Sequence, residues 1–171
     1  MIEIEIDKLT NSIEEVATGR RLETAVLPAT AADLRAITKK AGWRFDWRRE
    51  SKQPGYELYK LVTTAEPERL HGLISLENRP DHVYMSLIEV APINFGKTKA
   101  YLGVAGNLVA FACKLAFEYG HHGNVGFVSK TTLLAHYQQT LGAVPIGGHR
   151  MVIDTAPALR LIKIYFKDFQ L

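Results

Sequence analysis

Apolar and polar positions alternate along this chain in ways that assign most of its elements. MIEIEI (1–6) alternates aliphatic and acidic residues at period two, the mark of a short strand or an N-terminal arm. TNSIEEVATGRR (10–21) reads as a helical turn or two broken at Gly19. A strand-like stretch to Leu27 follows, then Pro28. Thr30 is placed to cap a helix with Asp33 three residues on, Leu34 and Ile37 at helical spacing, and Gly42 as its stop. WRFDWRRESKQPG (43–55) is polar, aromatic-studded and closed by Pro-Gly, the profile of a substrate-contacting loop.

YELYKLVTT, LHGLISLEN and VYMSLIEVA are β-rich segments separated by the turn-like TTAEPER and NRPDH, which predicts an antiparallel meander. GVAGNLVAFACKLAFEYG (103–120) is a helix apolar on nearly every side, so it must lie between other elements. NVGFVSK reads as a short buried strand, and TTLLAHYQQTLG as a helix closed by Gly142. PIGGHRMVID reads as a strand after a glycine turn. Thr155 is placed to cap a last helix, PALRLIKIYF, with Pro157 in its first turn. The order implies an α/β fold with a mixed sheet, an antiparallel meander, a central helix and flanking helices, in one domain over 1–171.

Composition narrows the function without naming it. No run approaches the roughly 18 apolar residues of a membrane span, and MIEIEIDKL is no signal peptide, so the expected location is cytoplasmic. Cys113 is the lone cysteine, inside the apolar FACKLAF, and reads as a small buried hydrophobe; no cysteine cage, HExxH or other metal-ligand spacing occurs. His121 and His122 close the long helix and complement its dipole. The net charge of +3 is dispersed, suiting an anionic small molecule at least as well as nucleic acid.

The chemistry concentrates between Ala91 and Leu108, APINFGKTKAYLGVAGNL. A strand ends in Pro92, a glycine-containing loop carries Lys97 and Lys99, and a helix opens on Gly103, Val104, Ala105, Gly106 and Asn107. A helix start offers unpaired N–H groups and positive dipole, and small residues let an anion approach them closely. Neither a P-loop nor a dinucleotide-binding glycine pattern is present.

The string from Val90 through GVAGNL, the buried helix, the buried strand and LLAHYQQTLGA resembles the GCN5-related N-acetyltransferases, as does LPATAADLRAI. The likeness spans roughly residues 20 to 153. It implies acetyl-CoA as cofactor, its pyrophosphate on the 103–107 turn, and a backbone N–H at Val90 polarising the thioester carbonyl. Tyr137 would be the acid for the leaving thiolate, with an amine of a small molecule or peptide as acceptor. Departures are plain: Ala100 stands where Arg or Gln is usual, the loop after Val90 is long, and Lys130 replaces a common asparagine. Lys97, Lys99 and Lys130 are candidate replacement contacts for the phosphates. Glu89, a carboxylate in an apolar strand beside Val90, is the candidate base, with Glu77 or a water relay as alternatives. A CoA-binding sensor module without turnover is the competing reading, and a homodimer is left open.

Overall fold

The computed structural model describes residues 1–171. Two antiparallel pieces, β1 (Ile13–Glu15) and β2 (Arg21–Leu22), form a small hairpin where helical turns were expected. Strand β3 (Thr24–Pro28) leads to helix α1 (Ala31–Ala36). Thr30 accepts from the Asp33 N–H and Asp33 answers back to the Thr30 N–H, so the expected capping box is present. The helix is shorter than expected and ends well before Gly42. The 43–55 segment is only partly loop: Asp46 caps a short helix α2 (Trp47–Ser51).

The meander is β4 (Tyr56–Thr63), β5 (Gly72–Asn78) and β6 (Val83–Val90). A two-residue strand, β7 (Tyr101–Leu102), pairs with β1 and precedes the long helix α3 (Val104–Glu118). Strand β8 (Val125–Val128), helix α4 (Leu134–Leu141), the hairpin β9 (Val144–Gly147) and β10 (Arg150–Ile153), and helix α5 (Thr155–Tyr165) complete the chain. Asp154, not Thr155, occupies the α5 cap position; the Thr155 hydroxyl donates to the His122 carbonyl.

The main sheet runs β3-β4-β5-β6-β8-β10-β9, antiparallel except for β6 beside β8. Helix α3 lies on one face with α5 beside it. The opposite face carries a smaller core of Ile37, Trp43, Trp47, Leu73 and Ala91.

One irregularity positions everything that follows. Between β5 and β6 the register skips Ser86, a bulge. Before it, Val83 and Met85 face the main core; after it, Ile88 and Val90 do, so the alternation changes parity. The parallel pairing of β6 with β8 covers only Val83–Met85 against Val125–Phe127. Beyond the bulge β6 continues to pair with β5 alone, and a cleft opens between β6 and β8.

Candidate active site

The β6 wall of the cleft ends at Val90. The Ala91 N–H donates to the His71 carbonyl at 2.8 Å across β5. Strand N–H groups alternate sides, so the Val90 N–H points away from β5 and into the cleft. Buried His71 holds this corner together. Asn94 Nδ2 donates to the His71 carbonyl at 3.1 Å and lies 3.2 Å from His71 Nδ1, so the ring proton is assigned to Nε2. Burial, reinforced by Arg69, lowers the His71 pKa to about 4. Below pH 6.5 the unfolded chain binds a proton that the folded protein refuses, so this contribution to stability is lost as pH falls from about 6.5 toward about 4. Thermal melts should therefore lose more over that range for wild type than for His71→Gln.

The floor of the cleft is the first turn of α3. Gly103 caps it with φ +89°, a conformation that favours glycine, and a Cβ there would come 2.8 Å from Thr10 Cγ2. The opposite wall comes from α4. Tyr137 is fully buried, its ring edge-on to Phe127 with centroids 5.5 Å apart, and its hydroxyl donates to the carbonyl of Ile4, a residue that lines the cleft. Burial pushes this phenol up, with Glu3 and Glu5 adding to the effect.

The sequence-based candidates separate on this frame. Val90, Lys97, Lys99, Ala105 and Lys130 line one cavity of about 590 Å³, together with Arg44 and Phe95. Asn107 does not join them: its N–H donates to the Gly103 carbonyl, and its side chain donates to Thr24 Oγ1 at 2.8 Å, toward the sheet. Val104 likewise turns its side chain onto the sheet; a Cβ at Gly72 would sit 2.9 Å from Val104 Cγ1. Gly106 serves close packing, since a Cβ there would collide with the Tyr165 hydroxyl and Leu9.

Glu89 has a different role from the one its position suggested. Its side chain lies on the face opposite Val90. Its carboxylate accepts the Arg44 N–H at 2.7 Å, the Phe45 N–H at 3.3 Å and Trp47 Nε1–H at 2.8 Å. With three donors on two buried oxygens, it anchors the 43–47 segment. Glu77 pairs with Arg79 at 3.0 Å and lies opposite Tyr84, five residues or about 17 Å along the strand from the Val90 end, which removes it as the alternative base.

Sequence reasoning missed the occupant of the cleft. Residues 1–10 run through it as an extended arm. The Ile2 N–H donates to the Val128 carbonyl at 2.7 Å and the Lys130 N–H to the Ile2 carbonyl at 2.9 Å, a parallel bridge on the β8 edge where β6 departs. Tyr137 donates its hydroxyl hydrogen to the Ile4 carbonyl at 2.5 Å, and the Ile6 N–H donates to His136 Nε2 at 2.8 Å. Asp7 then accepts the Gly103 N–H at 3.1 Å while pairing with Lys99 at 3.2 Å.

The fold as a whole has counterparts among solved structures. Mutant forms of the spermidine/spermine N-acetyltransferase SpeG from Vibrio cholerae match with a TM-score of 0.58 at 16% identity, over 81% of this chain and 97% of that one. The fold is that of the GCN5-related N-acetyltransferases. A structure of AtaTR bound with acetyl-CoA matches this N-acetyltransferase fold with a TM-score of 0.57 at 16% identity, over 81% and 98% of the two chains. A KacTA–DNA complex matches at 0.56 and 13%, over 82% and 99%. At these identities the likeness is one of fold. No protein-family model matches the sequence, and no curated protein sequence does. No helix is long and apolar enough to cross a membrane, and no cluster of three or more His, Cys, Asp or Glu could hold a metal ion. Cys113 is buried, as its apolar surroundings implied.

Proposed function

We propose that the protein transfers an acyl group from acetyl-CoA to an amine in the cleft between β6 and β8. The observation that carries this reading is the cavity lined by Val90, Ala105, Lys97, Lys99 and Lys130, which joins the end of β6 to the first turn of α3, with the Tyr137 hydroxyl bonded to the carbonyl of Ile4 on its wall. An acetyl-CoA lying there would place its pyrophosphate against the N–H groups of Gly103, Val104 and Ala105, with Lys97, Lys99 and Lys130 around it. Its thioester would reach the Val90 end.

In the reaction the amine lone pair attacks the thioester carbonyl, the C–S bond breaks, and the amine nitrogen gives up a proton. The Val90 N–H is aimed at the developing oxyanion. The Tyr137 hydroxyl keeps its proton until thiolate charge develops beside it and then supplies it to the sulfur. With Glu89 committed to its three donors, the amine proton leaves through a water relay. The solved spermidine/spermine acetyltransferase acts on polyamines, which makes flexible cationic amines the first acceptors to test. The DNA complex among the matches keeps nucleic-acid-associated partners in view. Free-thiol release from acetyl-CoA over a panel of polyamines, amino acids and peptide N-termini tests the activity; no release with any amine by a protein that binds CoA would leave the sensor reading in its place. The arm in the cleft is the observation that favours that second reading.

Lys97 and Lys130 provide a narrower check, because neither is tied to a carboxylate of the arm. Replacing both with Ala should weaken CoA binding several-fold at low salt, with the gap closing at high salt as the charges are screened. Equal affinities at low salt would make them ordinary surface lysines.

A further inference from the structure

We infer that residues 1–7 are a chain-encoded competitor of acyl-CoA, a plug that must leave the cleft before the thioester can enter; this rests on the cleft being the acyl-CoA site. The arm reproduces the chemistry of the ligand it would exclude. Its backbone takes up hydrogen bonds on the β8 edge at Ile2, as the amide groups of a pantetheine chain can. Its Ile4 carbonyl occupies the hydroxyl of Tyr137. Its Asp7 carboxylate sits on the Gly103 N–H and against Lys99, where a diphosphate would lie. A molecule running from the α3 N-terminus to Val90 would meet the arm along the cavity that Glu3, Ile4, Glu5 and Asp7 line, and compete with it at the Gly103 N–H and the Tyr137 hydroxyl.

Charge and burial fit the same reading. Glu3, Glu5 and Asp7 bring negative charge to a cavity whose other charged lining is Arg44, Lys97, Lys99 and Lys130. Arg44 pairs with Glu3 at 3.1 Å and stacks between Phe45 and Phe95, tying the arm to the cleft mouth. The alternating IEIEI pattern explains the fit, since Ile2 and Ile6 are buried while the acids between them face the basic cavity. The arm is held at its far end by Tyr165, whose hydroxyl lies 3.3 Å from both the Thr10 N–H and the Lys8 carbonyl. That leaves residues 1–7 as the part able to withdraw without disturbing the β1–β2 hairpin.

Occupancy by the arm lowers the apparent affinity for CoA by the fraction of molecules whose cleft is open. Ile2→Asp puts a carboxylate where an apolar side chain is buried, and Asp7→Ala removes the anion at Gly103; each should free the cleft, the second with little risk to folding. Calorimetric titration with CoA should give at least tenfold tighter binding to Ile2→Asp, and tighter binding also to Asp7→Ala, than to wild type. Hydrogen exchange of wild type should show the Ile2 and Ile6 amides losing protection when CoA is added. Equal CoA affinity in wild type and both variants, or arm amides that stay protected while CoA binds, would overturn the plug and leave the proposed activity standing. Failure of wild type and both variants to bind CoA at millimolar concentration would overturn the acyl-CoA reading itself, and the plug with it.

Discussion

Glu89→Ala should destabilise the protein by about 3 kcal/mol, because it strands the buried Trp47 indole donor and removes the acceptor of two part-buried backbone N–H groups. The Arg44 and Phe45 N–H groups and the Trp47 indole N–H all end on this one carboxylate. Trp47 is almost wholly buried, so water cannot substitute for the lost oxygen at its Nε1. Glu89→Gln keeps the shape but sets an amide donor against another donor, and should lose a large part of the same stability. Urea denaturation reads this as a lowered midpoint with an unchanged slope. A catalytic base would behave differently: Glu89→Gln would leave the midpoint in place and depress turnover most at neutral pH.

Tyr137→Phe should lower turnover by about 10²-fold or more while the fold survives. The ring remains packed on Phe127, and the hydrogen bond to Ile4 that disappears contributes only about 1 kcal/mol. That bond belongs to the arm, so its loss loosens the plug and CoA affinity should hold or rise. The combination of a collapsed kcat with an undiminished affinity separates a proton donor from a packing residue. Full turnover in Tyr137→Phe, measured where chemistry limits the rate, would leave the hydroxyl as an anchor for the arm alone.

What could be read from the sequence follows the range of the interactions involved. The capping box of Thr30 and Asp33, the meander and the small-residue opening of α3 are local, and their signals lie within a few residues. The bulge at Ser86 is written in VYMSLIEV only as a run whose apolar positions change parity, which a simple alternation overlooks. The small residues of the Gly103 turn read as an anion cradle; that Asp7 takes the Gly103 N–H could not be read, because Asp7 is 96 residues away in the chain. Glu89 misled for the same reason: a lone carboxylate in an apolar strand reads as a reactive group until the donors of 44–47, more than 40 residues distant, are brought onto it. The 10–21 stretch lacked the length to be a helix and took the strand pairing that β7 offered.

The central claim is that the cleft between β6 and β8 is an acyl-CoA site, and a titration of the labelled protein with CoA followed by amide NMR tests it most directly. The account predicts saturable shifts at Val90, Gly103, Val104 and Ala105, tracing one line from strand end to helix start. Shifts confined to surfaces outside the cleft, with those four amides unmoved at saturation, would contradict it.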